Sequence, residues 1–261
     1  MRLATFSTAD GTEHAGEVRG ERVAAFTDGS VRDRLASGDR TAADGPEFAL
    51  ADVTLLAPVR PRAIFGIGLN YAAHAAEQGA DLPERPMVFM KLPTSSVPGD
   101  GTVEVPAAAA RRLDYEAELV VVLGAGTTIA GYAVADDLSA RDLQGREPQW
   151  TRAKGFDSAC PWGPWITTAD EVPYPQALRI SSRVNGELRQ DSTTADLVFG
   201  PRALVDFIAE TCTFEPGDIV LTGTPQGVGM AMNPPSFLAA GDVVRIEIES
   251  LGAIEHTVAV R

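Results

Sequence analysis

Three groups of residues in this 261-residue chain have types and spacings that could do chemistry. The first is Glu116 and Glu118 in "RRLDYEAELVVVLG". Residues two apart in a strand face the same side, so both carboxylates would project together, just ahead of an apolar run that anchors the strand. Like charges this close repel and raise a pKa unless something positive lies between them. A divalent cation is the economical answer, and carboxylate oxygens without His or Cys suit Mg²⁺ or Mn²⁺, with Ca²⁺ also compatible. Asp136 and Asp137, in "GYAVADDLSARDLQ", are a second acidic pair. Strand neighbours point to opposite faces, so only one of the two is placed to join. An exposed strand face with alternating acids would give the same pattern.

The second group is His74 and Glu77 in "NYAAHAAEQG". At i and i+3 they are neighbours if the segment is helical. A carboxylate bonded to one ring nitrogen fixes the tautomer and makes the other nitrogen a better base. A solvated helix turn would read the same way. The third is Lys154, among aromatics and prolines in "WTRAKGFDSACPWGPW". It could bind a substrate carboxylate or snorkel over Trp150 or Phe156. "LTGTPQGVG" offers closely spaced glycines that let backbone approach a ligand, or an ordinary turn after a strand.

Other motifs are excluded. "FGIGLNY" begins like a dinucleotide fingerprint, but Tyr71 occupies the third glycine position and no βαβ pattern surrounds it. "GTPQGVG" lacks the Lys-Ser/Thr of a P-loop, and there is no GxSxG nucleophile elbow.

The elements that must position these groups are mostly strands with a few helices, an α+β pattern. "RLATFS", "HAGEVRG" and "RVAAF" suggest short strands in residues 1–57, a small N-terminal domain, with one short helix, "VRDRLASG", ending at Gly38. Residues 58–261 form the second unit, opened by "LAPVRPRAIFGIG". Strand signals follow in "MVFMKL", "ELVVVLG", "GYAVADDL", "LRISSRVNGELR", "DIVLTGT" and "DVVRIEIESLG", with "VNGE" a hairpin turn and "PRALVDFIAETC" a helix.

Composition narrows the partners. Net charge is −14, which disfavours a phosphate backbone or an anionic membrane as partner. A small acidic substrate stays compatible, because a bound cation reverses the local field. Cys160 and Cys212 imply no disulfide framework, and no run approaches the roughly 20 apolar residues of a membrane helix. The start lacks a signal-peptide run, so a cytoplasmic protein is expected.

Taken in order, "GIGLNYAAHAAE", "RPMVFMKLPTS", "LDYEAELVVVLG", "GYAVADDLSARDLQ", "RAKGFDSACPWGPW", "VNGELRQDSTTADLVF", "GDIVLTGTPQGVG" and "GDVVRIEIESLG" resemble the fumarylacetoacetate hydrolase family over about residues 60–258. The resemblance implies a mixed β-roll with a smaller N-terminal domain, usually a homodimer. It implies that Glu116, Glu118 and Asp137 are metal ligands and that Lys154 is the active-site lysine. Arg141, Gln144 and Thr224 match substrate-contacting positions, although Asp142 beside Arg141 could make a structural ion pair instead. "HAAE" matches the His-x-x-Glu pair of the short acylpyruvase and oxaloacetate decarboxylase branch, on a segment, "AEQGADLPERP", that could close over substrate. The implied substrate is a small 2-oxo acid. The first expectation is hydrolysis of a C–C bond in an acylpyruvate-type 2,4-dioxo acid through a pyruvate enolate held at the metal. The alternatives are oxaloacetate decarboxylation or isomerisation of a 2-hydroxy-dienedioate, which share that enolate. A catalytically silent metal-binding homologue is a further one.

Overall fold

The computed structural model describes residues 1–261. Most strands lie in two sheets that face each other across the core. The larger sheet runs in the order Glu47–Ala49, Arg22–Ala25, Glu13–Arg19, Arg2–Ser7, Cys160–Thr168, Ile129–Asp136, Ala117–Leu123, Ile219–Leu221, Ile64–Gly68 and Met87–Lys91. The smaller has Glu187–Thr193, Arg179–Val184, Val243–Ile248, Gly252–Val260 and Gly101–Val105. Leu113–Asp114 and Ser139–Ala140 make a separate two-stranded ladder.

The strand Ala117–Leu123 is buried along its whole length. Leu119, Val121 and Leu123 point into the core shared with Ile180, Val244 and Ile246 of the smaller sheet. Val120 and Val122 point the other way, onto Leu3, Val31 and Leu35 of the N-terminal segment. Burial on both faces explains why its sequence is a continuous apolar run and not an alternation.

That packing also ties the first 57 residues to the rest. Leu3 pairs with Ile166 in the strand ladder, and Leu3, Phe26 and Leu35 share a cluster with Ile64, Ile219 and Trp162. The helix Val31–Ser37 opens with a capping box between Ser30 and Asp33 and ends on Gly38 at φ +70°. The expected hairpin forms at Asn185 and Gly186, both at positive φ. The expected second helix forms at Pro201–Ala209, burying Leu204, Val205 and Ile208. No helix is long and apolar enough to cross a membrane.

One buried acid pins the joint next to the site. Asp218 is fully buried and accepts backbone N–H bonds from Arg62, Ala63 and Glu215 at 3.1, 2.8 and 2.9 Å. It thereby fixes the start of strand Ile64–Gly68 against Ile219–Leu221, the parallel pair that leads into the site.

Candidate active site

The strand register assembles the carboxylates. Glu116 stands at the entry of Ala117–Leu123 and Glu118 lies one pleat further on, as the spacing requires. The antiparallel partner Ile129–Asp136 brings Asp136 and Asp137 opposite. The two then part. Asp136 turns back to accept the Glu116 N–H at 2.8 Å and to face His256, while Asp137 joins the glutamates. Oxygens from Glu116, Glu118 and Asp137 all lie within 4.8 Å of one another, and all three residues are buried.

Cations surround this cluster unevenly. Lys154, on the short helix Thr151–Lys154, donates to Glu116 Oε2 at 2.6 Å and to Asp137 Oδ2 at 2.7 Å. Lys91, fully buried at the end of Met87–Lys91, donates to Asp137 Oδ1. Arg141 donates to Glu116 Oε1 at 2.6 Å, Asp114 Oδ2 at 2.8 Å and Gln144 Oε1 at 2.9 Å. Arg141 thus pairs with Asp114 and Glu116, and not with its neighbour Asp142. Glu118 meets no cation; its partner is the backbone N–H of Gly223 at 2.6 Å. Gly223 takes φ +97°, and a Cβ there would lie 2.8 Å from Asn70 Cβ, so this approach needs glycine.

The titration behaviour follows from this geometry. Burial alone would raise the Glu116 carboxyl, but Lys154 and Arg141 pull it below the usual carboxylate range. Burial, Asp137 and Glu116 push Glu118 well above that range. Burial would lower Lys154, yet Asp137 and Glu116 raise it, so the ammonium stays charged.

The His–Glu pair forms as well. The helix Ala72–Glu77 places His74 Nδ1 at 2.7 Å from Glu77 Oε1, and Glu77 Oε2 accepts the Gly227 N–H at 2.9 Å. The Gln78 amide nitrogen lies 2.7 Å from His74 Nε2. An amide nitrogen only donates, so Nε2 is the acceptor and the ring proton sits on Nδ1. The imidazole is therefore held as the tautomer with its basic nitrogen facing away from Glu77.

A cavity of about 280 Å³ is lined by His74, Glu116, Arg141, Gln144, Lys154 and Thr224 among others. Glu77 bonds His74 without lining the cavity, and Glu118 and Asp137 are buried and do not line it either. Thr224 Oγ1 is held by the Gln190 amide at 2.8 Å. Sequence reading missed Lys91, Asp114, Gln78 and Gln190. Lys91 ends an apolar strand run and Asp114 precedes the expected glutamate pair, so neither carried a local signal. Gln78 adjoins the His–Glu motif and could have been weighed with it.

The model "Fumarylacetoacetate (FAA) hydrolase C-terminal" matches residues 63–259. The chain belongs to the fumarylacetoacetate hydrolase family. A second model, "Rv2993c-like, N-terminal", matches residues 1–58. Oxaloacetate tautomerase Fahd2a, mitochondrial, from Rattus norvegicus is 43% identical over 230 residues, covering 83% of this chain and 73% of that protein. Oxaloacetate tautomerase YisK from Bacillus subtilis (strain 168) is 39% identical over 225 residues, covering 81% and 75%. Among solved structures, the fumarylacetoacetate hydrolase from psychrophilic Exiguobacterium antarcticum aligns with TM-score 0.90 at 32% identity over all of both chains. The 2-hydroxyhepta-2,4-diene-1,7-dioate isomerase from Mycobacterium marinum aligns with TM-score 0.83 at 31% identity, covering 100% of this chain and 99% of that one.

Members of this family are enzymes, and the donor set here fits a divalent cation. Three buried carboxylates converge, and Glu118, pushed up by burial, Asp137 and Glu116, makes no ion pair of its own. All the donors are oxygens, which suits a hard ion such as Mg²⁺ or Mn²⁺.

Proposed function

We propose that this protein moves a proton at C3 of a small 2-oxo acid, as a tautomerase or isomerase of the oxaloacetate-tautomerase branch. The names of its relatives favour this over the C–C hydrolysis expected first. The observation that carries it is His74, with its ring proton on Nδ1 against Glu77 and its acceptor Nε2, covered by the Gln78 amide, in the cavity that Glu116 and Lys154 also line. Hydrolysis would need a positioned water in addition; proton transfer at carbon needs only this base and a place for the resulting charge.

Glu116, Glu118 and Asp137 would hold the divalent ion, which supplies Lewis-acid polarisation of the 2-oxo group when bound. On the side of the chain's own groups, Gln78 must first leave His74 Nε2. His74 Nε2 then takes the proton from C3, and Glu77 stabilises the imidazolium that forms. Negative charge moves to the C2 oxygen, where the Lys154 ammonium is fixed in advance by Glu116 and Asp137. His74 returns the proton to oxygen or to carbon, which completes tautomerisation or a shift of the double bond. Gln144 and Thr224 offer hydrogen bonds to the substrate's polar groups, and Arg141 braces Glu116.

The deciding experiment follows the enol absorbance of freshly dissolved oxaloacetate with Mg²⁺ or Mn²⁺ present. Wild type should speed its decay to the keto form, and His74→Ala should lose roughly 10²–10⁴ of that acceleration. Acylpyruvate cleavage without any effect on tautomerisation would restore the hydrolase reading.

A further inference from the structure

The glycines of "FGIG" have no part in the centre just described, yet they shape its cavity. Strand Ile64–Gly68 pairs with Met87–Lys91 so that Gly66 faces Phe89 and Gly68 faces Met87. A Cβ on Gly66 would lie 2.2 Å from the Phe89 ring. One on Gly68 would lie 3.1 Å from both the Trp150 ring and Met87 Sδ. The two rings therefore lie down on bare backbone. Their centroids are 5.6 Å apart with planes at 64°, and Lys154 Nζ stands 5.2 Å from the centre of the Phe89 ring. An apolar wall thus begins at the cation of the carboxylate centre and runs outward over Phe89 to Trp150, flanked by Leu69 and Met87.

This wall decides what the rest of the substrate can be. The cavity lining contains two permanent cations, Arg141 and Lys154, and both are committed to protein carboxylates. A second substrate carboxylate laid on Phe89 and Trp150 would lose hydration with no free cation in return. An aromatic or aliphatic group laid there would bury apolar area on both partners and stack against the rings. We infer that the preferred substrate is a 2-oxo acid whose chain beyond C2 carries an uncharged, apolar or aromatic group seated on Phe89 and Trp150. This rests on the proton-transfer reading for the chemistry at C3, but the binding preference stands on the wall itself.

Two 2-oxo acids that cannot enolise separate binding from turnover: benzoylformate, with an aryl arm, and ketomalonate, with a carboxylate arm. Calorimetry with Mg²⁺ present should show benzoylformate bound about tenfold or more tightly than ketomalonate, the factor expected from burying one aromatic face. Trp150→Leu and, separately, Phe89→Leu should cut that ratio at least about fivefold by the same reasoning while ketomalonate affinity holds. Circular dichroism would verify that each variant is folded. In turnover, deuterium exchange at C3 should be faster for phenylpyruvate than for oxaloacetate. Ketomalonate bound as tightly as benzoylformate, or a ratio that neither variant changes, overturns the inference even if both acids turn over. If neither enolisable acid exchanges but the benzoylformate preference holds and depends on Trp150, the proton-transfer reading fails and the wall's preference stands.

Discussion

Lys91→Met tests whether the carboxylate centre is balanced by buried cations. Lys91 is isolated from solvent, and its ammonium sits on Asp137 Oδ1. Methionine keeps the length and the apolar stem but removes the charge. Asp137 would retain Lys154, and Glu116 would retain Lys154 and Arg141, while Glu118 still meets no cation. Removing one partner of a buried ion pair leaves uncompensated charge and costs about 3–5 kcal/mol. At roughly 2–4 °C per kcal/mol for a chain of this size, Tm without metal should drop by about 6–20 °C. The same change makes the cluster more negative, so a divalent ion should bind more tightly and restore stability. Wild type gains from the ion as well, so at saturation the gap narrows by RT ln of the ratio of the two Kd values, about 1.4 kcal/mol for each tenfold of tighter binding. The assay is thermal unfolding of both proteins in EDTA and in a Mn²⁺ or Mg²⁺ series. A deficit below about 1 kcal/mol, or one equally large with and without metal, would refute the charge balance drawn here.

Further outcomes test the remaining claims. Glu77→Gln should be milder than His74→Ala, because it keeps an acceptor oxygen while losing the charge that supports the imidazolium; equal losses in oxaloacetate enol decay would assign Glu77 a larger part. Asp218→Asn should lower stability by about 1–3 kcal/mol in urea, since the amide turns a donor toward N–H groups that now bond to a carboxylate. Burial pushes the Cys160 thiol up to about 12, so it stays uncharged across the neutral range and should resist a thiol reagent that labels the exposed Cys212; fast labelling of both at pH 8 would contradict its burial. We also propose that the chain is a homodimer, as the resemblance implies, and note that Met87, Val88, Met90 and Leu92 stand exposed on or beside the edge strand; a monomer mass by light scattering would exclude it.

The sequence by itself determined what local periodicity controls. A period of two put Glu116 and Glu118 on one side of a strand, and a helical turn put His74 against Glu77. The apolar runs and turn residues placed most strands, the capped helix ending at Gly38 and the hairpin at Asn185–Gly186. What pairs across long stretches of chain was decided only by the tertiary structure. Strand alternation left Asp136 and Asp137 equal and only the family resemblance named Asp137; the strand register supplies the reason, sending Asp136 to the Glu116 amide and His256 and Asp137 to the carboxylates. Lys91 reaches an acid 46 residues away, and Arg141 passes over adjacent Asp142 for Asp114, 27 residues back. The glycines of "FGIG" read as a failed nucleotide motif, because the Phe89 and Trp150 rings that need their empty Cβ positions come from a neighbouring strand and the segment before a distant helix. Alternation along a strand assigns a residue to a face; the partner waiting on that face is fixed by how sheets register and pack, which no local pattern encodes.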